Sequence, residues 1–388
     1  MLSFFKDHRE IWLAAFALTL FISLPISNVF LILALLSFIY YCYQHEVSLD
    51  KEAQPYFLVW GVFVAAMFAS ALCSGDIIAG LKYSADRWIW RVVPFVIALL
   101  GFKGIRERQN ILYAILIGVG INNLFIIYKG ITTGRRAGGF YGHYMMHAGF
   151  LCLLLPVLLV LLFEKKLLPL SKKYIAISFV ISFGALIFNS TRGAWLSLIP
   201  VLLGISLCYM RHSKKVFIIA LAFWIGVAGC LALHPKLSRR FASAVNVNKH
   251  TERILIWNSA WRMFKDHPVL GVGQGQFKHQ YHQKYISRKA KEPNLTHAHN
   301  NIMQMLAENG SIGFVAFMSV FATILWQSLK KYLHNKNPWH LMILGSTTAL
   351  FLQGLTEYNF GQSGVMKCYW LLLACLLVLG KYWEKQDR

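Results

Sequence analysis

The residues of this chain best placed to do chemistry are arginines and histidines. Arg192 sits in FNSTRGAWLSL, where two apolar runs are joined by almost no loop. Arginine at such depth is costly unless it is paired or functional. Snorkelling to the interface, or a carboxylate partner on another span, is the structural alternative. Arg253 opens TERILIWNSAWRMF, where Ile254, Ile256, Trp257, Trp261 and Phe264 predict an amphipathic helix. A surface pairing with Glu252 or Asp266 would account for Arg253 equally well. Arg135 and Arg136 lie among glycines in TTGRRAGGFYGHYMMHAGF. A guanidinium presents a planar fork that suits bidentate contact with phosphate. This set therefore points to an anion.

His299, in THAHNN, is placed to exchange a proton near neutral pH and so to act as a general base. It follows His297 by two positions and precedes Asn300 and Asn301. A solvated loop histidine is the plain alternative in a chain with 14 histidines. His143 and His147 stand at i, i+4, on one helix face. Without a nearby carboxylate, ordinary hydrogen bonds suit that pair better than a metal does. His279 and His282 would need His297 and His299, plus a carboxylate at a telling spacing, to make a metal site. The expectation is no metal and no cofactor. Acidic residues are few, and no Asp-x-Asp pair marks a metal-dependent nucleotide-sugar transferase. GVGQGQF follows a Pro-containing turn and has no βαβ context, so it reads as a turn beside a groove, not as a nucleotide loop.

The elements that must position these residues are membrane spans. The chain of 388 residues is 57% hydrophobic and 14% charged, too apolar for a soluble domain of this size. Apolar runs of span length recur, and none alternates as a barrel strand would. Twelve spans are expected, near 11–27, 28–44, 56–73, 88–102, 110–128, 146–163, 174–189, 193–210, 216–233, 308–329, 339–355 and 364–380. Leu24-Pro25 and Ser27-Asn28 predict a tight turn between the first two. Residues 1–233 would hold nine spans, 234–307 one large loop with the catalytic elements, and 308–388 the last three.

The formal charge of +23 is spread among short loops and forms no aromatic-interleaved patch, which excludes a nucleic-acid partner. Lysines dominate one set of loops, from Lys6 and Lys51 through Lys165, Lys173 and Lys215 to Lys331 and Lys385. The positive-inside rule puts these loops and both termini in the cytoplasm, and the large loop outside. The fewer basic residues outside are mostly arginine. The seven cysteines sit in or beside apolar runs and form neither a disulfide framework nor a zinc pattern. MLSFFKDHRE lacks a cleavable-signal pattern, so the first span is read as retained.

NSTRGAWL, ERILIWNSAW, HPVLGVGQGQF and HAHNNIMQMLAENGSIGF, in this order and spacing, resemble the O-antigen ligase/O-antigen polymerase superfamily, and the ligases best. The resemblance covers Arg192 to Gly313 and extends loosely over the rest of the chain. It implies an all-α polytopic membrane protein of GT-C type. It implies a metal-independent, inverting transfer of a glycan from undecaprenyl pyrophosphate to the lipid A–core, in the bacterial inner membrane. Arg192 and Arg253 match arginines expected to bind the donor pyrophosphate, although Arg262 lies close by. Arg136 matches a further one, and His299 matches the essential histidine. His297 and Asn300 are supporting candidates. A polymerase with a lipid-linked acceptor is the near alternative. A transporter of the lipid-linked sugar is the alternative of another class, but no internal repeat is evident and the polar groups gather at one face.

Overall fold

The computed structural model describes residues 8–164, 167–210, 214–233, 238, 239, 242 and 251–386. Among them the chain is helical, with no strand. The α-helices are α1 Arg9–Thr19, α2 Leu24–Gln44, α3 Gln54–Leu72, α4 Ile77–Ser84, α5 Val93–Leu100, α6 Arg106–Thr133, α7 Tyr144–Phe163 and α8 Lys172–Asn189. They continue with α9 Arg192–Met210, α10 Lys214–Leu233, α11 Thr251–Asp266, α12 Phe277–Gln280, α13 Asn301–Asn335, α14 Pro338–Gly354 and α15 Ser363–Gln386. Most of the expected loop between 234 and 250, and the cations Lys6, Lys165, Lys166, Arg211 and Arg388, lie outside the described residues.

Among the described residues, eight helices are long and apolar enough to cross a bilayer: α2, α3, α6, α7, α8, α9, α13 and α15. The chain is a multi-pass helical membrane protein. Two expected spans are shorter than drawn. α1 has 11 residues and ends in a turn at 20–22. Pro25 then lies in the first turn of α2, where its missing N–H costs no helical bond, so the turn precedes Leu24 instead of following it. The run 88–102 is broken into a π turn (Ala85–Ile89), a 3-10 turn (Trp90–Val92) and the eight-residue α5. Broken backbone at membrane depth survives only inside protein. Trp88 and Arg91 in this stretch are accordingly buried.

α7 and α15 are buried over 83% of their apolar windows, against 28% for α2, so they form the centre of the bundle. α7 packs on α8, α9, α14 and α15. The outer helix α2 exposes Ile26, Val29, Ile32, Leu36 and Ile39 along one side. This apolar stripe suits lipid, not water.

α3 and α13 run antiparallel and fix the two ends of the bundle. Ser70 Oγ donates to Glu308 O (2.7 Å) at one end, and Lys331 pairs with Glu52 at the other. Residues 308 and 331 of α13 are about 35 Å apart at 1.5 Å per residue, a little more than the hydrocarbon thickness. Lys51, Lys103, Arg108, Lys331, Lys381 and Lys385 gather round one cavity at the Lys331 end. The candidate residues gather at the Glu308 end.

The large loop folds on itself. Ile256, Ala260 and Met263 of α11 meet Phe277, Tyr281 and Tyr285, and Ala307 of α13 closes this small core. The loop is tied to a break in α13. Gly310 has φ 60°, ψ −158°, a conformation that only glycine adopts readily. The break frees carbonyls that must find other donors. Val272 N–H donates to Ala307 O (2.9 Å) and Gly273 N–H to Glu308 O (3.1 Å); in return Ser311 N–H donates to Pro268 O (2.8 Å). GVGQGQF is thus a packed turn. A Cβ on Gly271 would lie 2.3 Å from Glu308 C, and one on Gly310 2.4 Å from Val269 C.

Gly310→Ala therefore combines backbone strain with a clash against backbone, and should cost about 3 kcal/mol or more. Gly120 has open space at its Cβ position, so Gly120→Ala should leave stability unchanged or slightly raised. Thermal unfolding of the two variants in one detergent checks the contrast.

Candidate active site

Arg192 is placed by a turn with almost no length. α8 ends at Asn189, and Ser190 closes it in the left-handed region (φ 54°), its N–H bonding to Leu186 O and Ile187 O. α9 then starts at Arg192. The turn is braced from outside. Asn189 Nδ2 donates to Ala137 O and Tyr144 O, while Arg136 donates from Nε to Asn189 O (3.1 Å) and from Nη2 to Thr191 Oγ1 (3.2 Å). Next to Arg192, a Cβ on Gly193 would fall 2.2 Å from Thr356 Oγ1. Glycine here lets the 355–358 segment press against the start of α9.

Arg253 lies one turn before Ile256 on α11. The helix is amphipathic as the sequence predicts, but its buried face is Ile256, Ser259, Ala260 and Met263. Ile254 and Trp261, expected on the buried face, are exposed. Trp257 anchors the helix through Nε1–H to Ala298 O (2.9 Å). Neither expected surface partner holds Arg253. Asp266 accepts from Lys284 and Tyr285, and Glu252 accepts from Lys291 N–H. Arg262, the neighbouring candidate, donates to Tyr285 O and so supports the loop core. Burial holds the Arg253 pKa below its ordinary value; nearby Glu357 opposes that shift and Arg192 adds to it.

His299 has φ 49°, again left-handed, and Asn300 then turns extended to cap α13 through Met303 N–H. A left-handed residue with a Cβ costs about 1–2 kcal/mol. Here it lies between a cap and two ring contacts that fix it. His299 Nδ1 meets Glu357 Oε2 at 3.2 Å. Glu357 is buried, which by itself would push its carboxyl pKa up. The hydrogen bond from His299, with the charges of His299, His297 and Arg253, outweighs burial and holds it below the ordinary value. A carboxylate at Nδ1 puts the proton there and leaves Nε2 with its lone pair. His297 Nδ1 accepts the His299 N–H (3.2 Å), and the two ring centroids are 4.2 Å apart. Burial, then repulsion from His299, lowers the His297 pKa to about 4, so it is neutral at pH 7.

Arg192, Arg253 and His299 line one cavity of about 490 Å³, together with Glu252, Lys289, Lys291 and Glu292. It offers a predominantly cationic wall with a proton acceptor beside it. An anion can be held there while a hydroxyl near His299 loses its proton. His297, His299 and Glu357 also present ligand atoms all within 4.8 Å of one another, a set able to hold a divalent ion. His143 and His147 have other work: His143 Nδ1 caps α7 by accepting Met146 N–H, and buried His147 bonds Asn122 (3.1 Å). Arg136 does not line the cavity. It holds the Asn189–Thr191 turn and stacks over Tyr144 at 4.4 Å. Asn300 is occupied as the cap of α13 and as donor to Leu355 O.

Sequence reasoning did not single out Glu357. It stands 58 positions beyond His299, between two helices, with no motif around it. The available signal was a carboxylate on the outer side of a chain with few of them.

Residues 177–318 match the family model described as O-antigen ligase. The match runs from α8 into α13 and so includes Arg192, Arg253 and His299, while Arg136 and Glu357 lie outside it. An uncharacterized protein of Haemophilus influenzae is 24% identical over 279 residues, covering 66% of this chain and 69% of that one. The match of residues 177–318 to the O-antigen ligase family model supports a place for the chain in the O-antigen ligase/polymerase superfamily.

Proposed function

We propose that this protein is a GT-C-type glycosyltransferase that moves an O-antigen glycan from undecaprenyl pyrophosphate to the lipid A–core at the periplasmic face. The observation that carries this reading is the shared cavity of Arg192, Arg253 and His299, with Glu357 behind the imidazole. The acceptor hydroxyl attacks the anomeric carbon, and its proton passes to His299 Nε2. The bond from the anomeric carbon to the phosphate oxygen breaks on the opposite face, so the configuration inverts. Its electron pair leaves on the prenyl pyrophosphate, where Arg192 and Arg253 meet the growing charge. Arg136 acts through the turn that carries Arg192. Of the large loop 234–307, the part from Thr251 onward supplies Arg253 and His299 to the site from the periplasmic side, and the carbons of the prenyl tail lie between spans.

Glu357 is a positioning residue in this mechanism, holding the His299 ring and its tautomer. Glu357→Gln keeps the shape and removes the charge. It should lower kcat by about one to two orders of magnitude and leave the donor KM within about twofold. A matching rise in donor KM would instead assign Glu357 to binding.

The test of the whole reading is reconstitution of the purified protein with lipid-linked glycan and two acceptors, lipid A–core and a second lipid-linked glycan. Covalent transfer to lipid A–core is expected, and transfer should survive EDTA. Product on the lipid-linked acceptor alone would make the protein a polymerase. Movement of glycan lipid without covalent product would make it a transporter. Activity lost to EDTA and restored by one divalent ion would return His297, His299 and Glu357 to the role of metal ligands.

A further inference from the structure

A second cavity of about 760 Å³, larger than the one at His299, is also lined by part of segment 289–295. That segment is a shared wall. Lys291, Glu292 and Leu295 line the cavity at His299, while Pro293 and Asn294 line the second. The two chambers differ in chemistry. Where the first has arginines, the second has Gln276, His279, His282, Gln283 and Asn294, with Lys278 as its cation and Asp76 as its carboxylate. Gln276, at the N-cap position of the segment 277–285, is followed at helical spacing by His279 and Gln283. Phe277, Tyr281 and Tyr285 occupy the opposite side of the same segment and are buried in the loop core. Phe277 N–H is held by Glu308 Oε1 (3.1 Å), and Tyr285 O accepts from Ser259 (2.7 Å). The amide and imidazole face is therefore presented by a fixed platform. Asp76 is occupied as the cap of α4, accepting Ala79 N–H (2.9 Å), whereas the side chains of Gln276, His279, His282, Gln283 and Asn294 make no hydrogen bond to another described residue.

Neutral amides and imidazoles each donate and accept, which is what vicinal hydroxyls require. A phosphate would call for the fixed cations of the other chamber. A metal would call for converging ligands, and among the described residues such a group of three occurs only at His297, His299 and Glu357. The volume is within the range of ligand pockets. We propose that this chamber is a saccharide subsite that holds hydroxyl-rich sugar units of one substrate, a short distance along the glycan from the reacting bond. The proposal rests on the glycosyltransferase reading. The sugar units belong to either the core oligosaccharide of the acceptor or the donor glycan, and the test separates these.

The experiment compares the full chain with Gln276→Ala/Gln283→Ala and with Asn294→Trp, which fills the chamber. All three are checked for equal thermal unfolding. In steady-state transfer, the KM for one saccharide substrate should rise about five- to twentyfold, as expected for one or two lost hydrogen bonds, with kcat within about twofold. A substrate shortened by its distal sugars should not distinguish wild type from variants. The substrate whose KM responds identifies the source. In parallel, saturation-transfer NMR measures binding of free core oligosaccharide released from lipid A, and of delipidated O-antigen repeat, to wild type and to the double alanine variant. Unchanged KM values for both substrates in both variants, or equal oligosaccharide binding by wild type and variant, would overturn the subsite. Should wild type transfer nothing, the transferase reading falls by itself, and the binding arm still decides whether the chamber takes sugar.

Discussion

His299→Ala should lower the turnover of glycan transfer by about two to three orders of magnitude, with the protein still inserted and folded. The argument is geometric. Glu357 occupies the Nδ1 side of the ring, and His299 lines the cavity together with the two arginines. Removing the imidazole leaves the arginines to bind donor, so the donor KM should move little while kcat falls. The substitution also strands a buried carboxylate, which costs stability of its own. The double variant His299→Ala/Glu357→Gln controls for this: it should melt higher than His299→Ala and be no more active. Membranes containing His299→Ala that ligate at near-normal rates would remove this residue from the mechanism.

Arg192→Ala should lose about as much, two to three orders of magnitude, because in the proposed mechanism it removes a fixed cation facing the charge that develops on the leaving pyrophosphate. Arg192→Lys keeps the charge but not the planar fork and should recover only part of the loss. Arg253 is near enough to Arg192 to feel its charge, which adds to burial in lowering the Arg253 pKa. If both grip one diphosphate, their losses are not independent. The double alanine variant should then fall short of the product of the two single losses. Losses that multiply would place the arginines on separate groups. Kinetics in nanodiscs at saturating acceptor, with each protein's membrane content matched, measure all four.

Composition and periodicity determined much about this protein. A chain this apolar can satisfy its backbone in lipid only as helices, so the class follows from hydropathy. Arg192 was legible because a cation between two spans with no loop has few cheap explanations, and His299 because a histidine able to exchange a proton precedes a span within a motif that resembles the superfamily's. Tertiary structure decided the rest. Whether 11–27 and 88–102 span depended on a turn at 20–22 and on a π turn and a 3-10 turn ahead of α5, none of which changes hydropathy. Arg253 and Arg262 are nine positions apart on one helix, and only the direction of its buried face sends one to the cavity and the other to Tyr285 O. The glycine turn 271–275 is matched to a helix break at Gly310 that local sequence does not reveal. Glu357 reaches His299 because α13 and α14 run out and back across the bundle, returning position 357 to the start of α13. Local sequence specifies helices and caps through short-range sterics and hydrogen bonds. Which charges meet at the end of a bundle depends on helix lengths and packing summed over the whole chain, and that sum is made only in three dimensions.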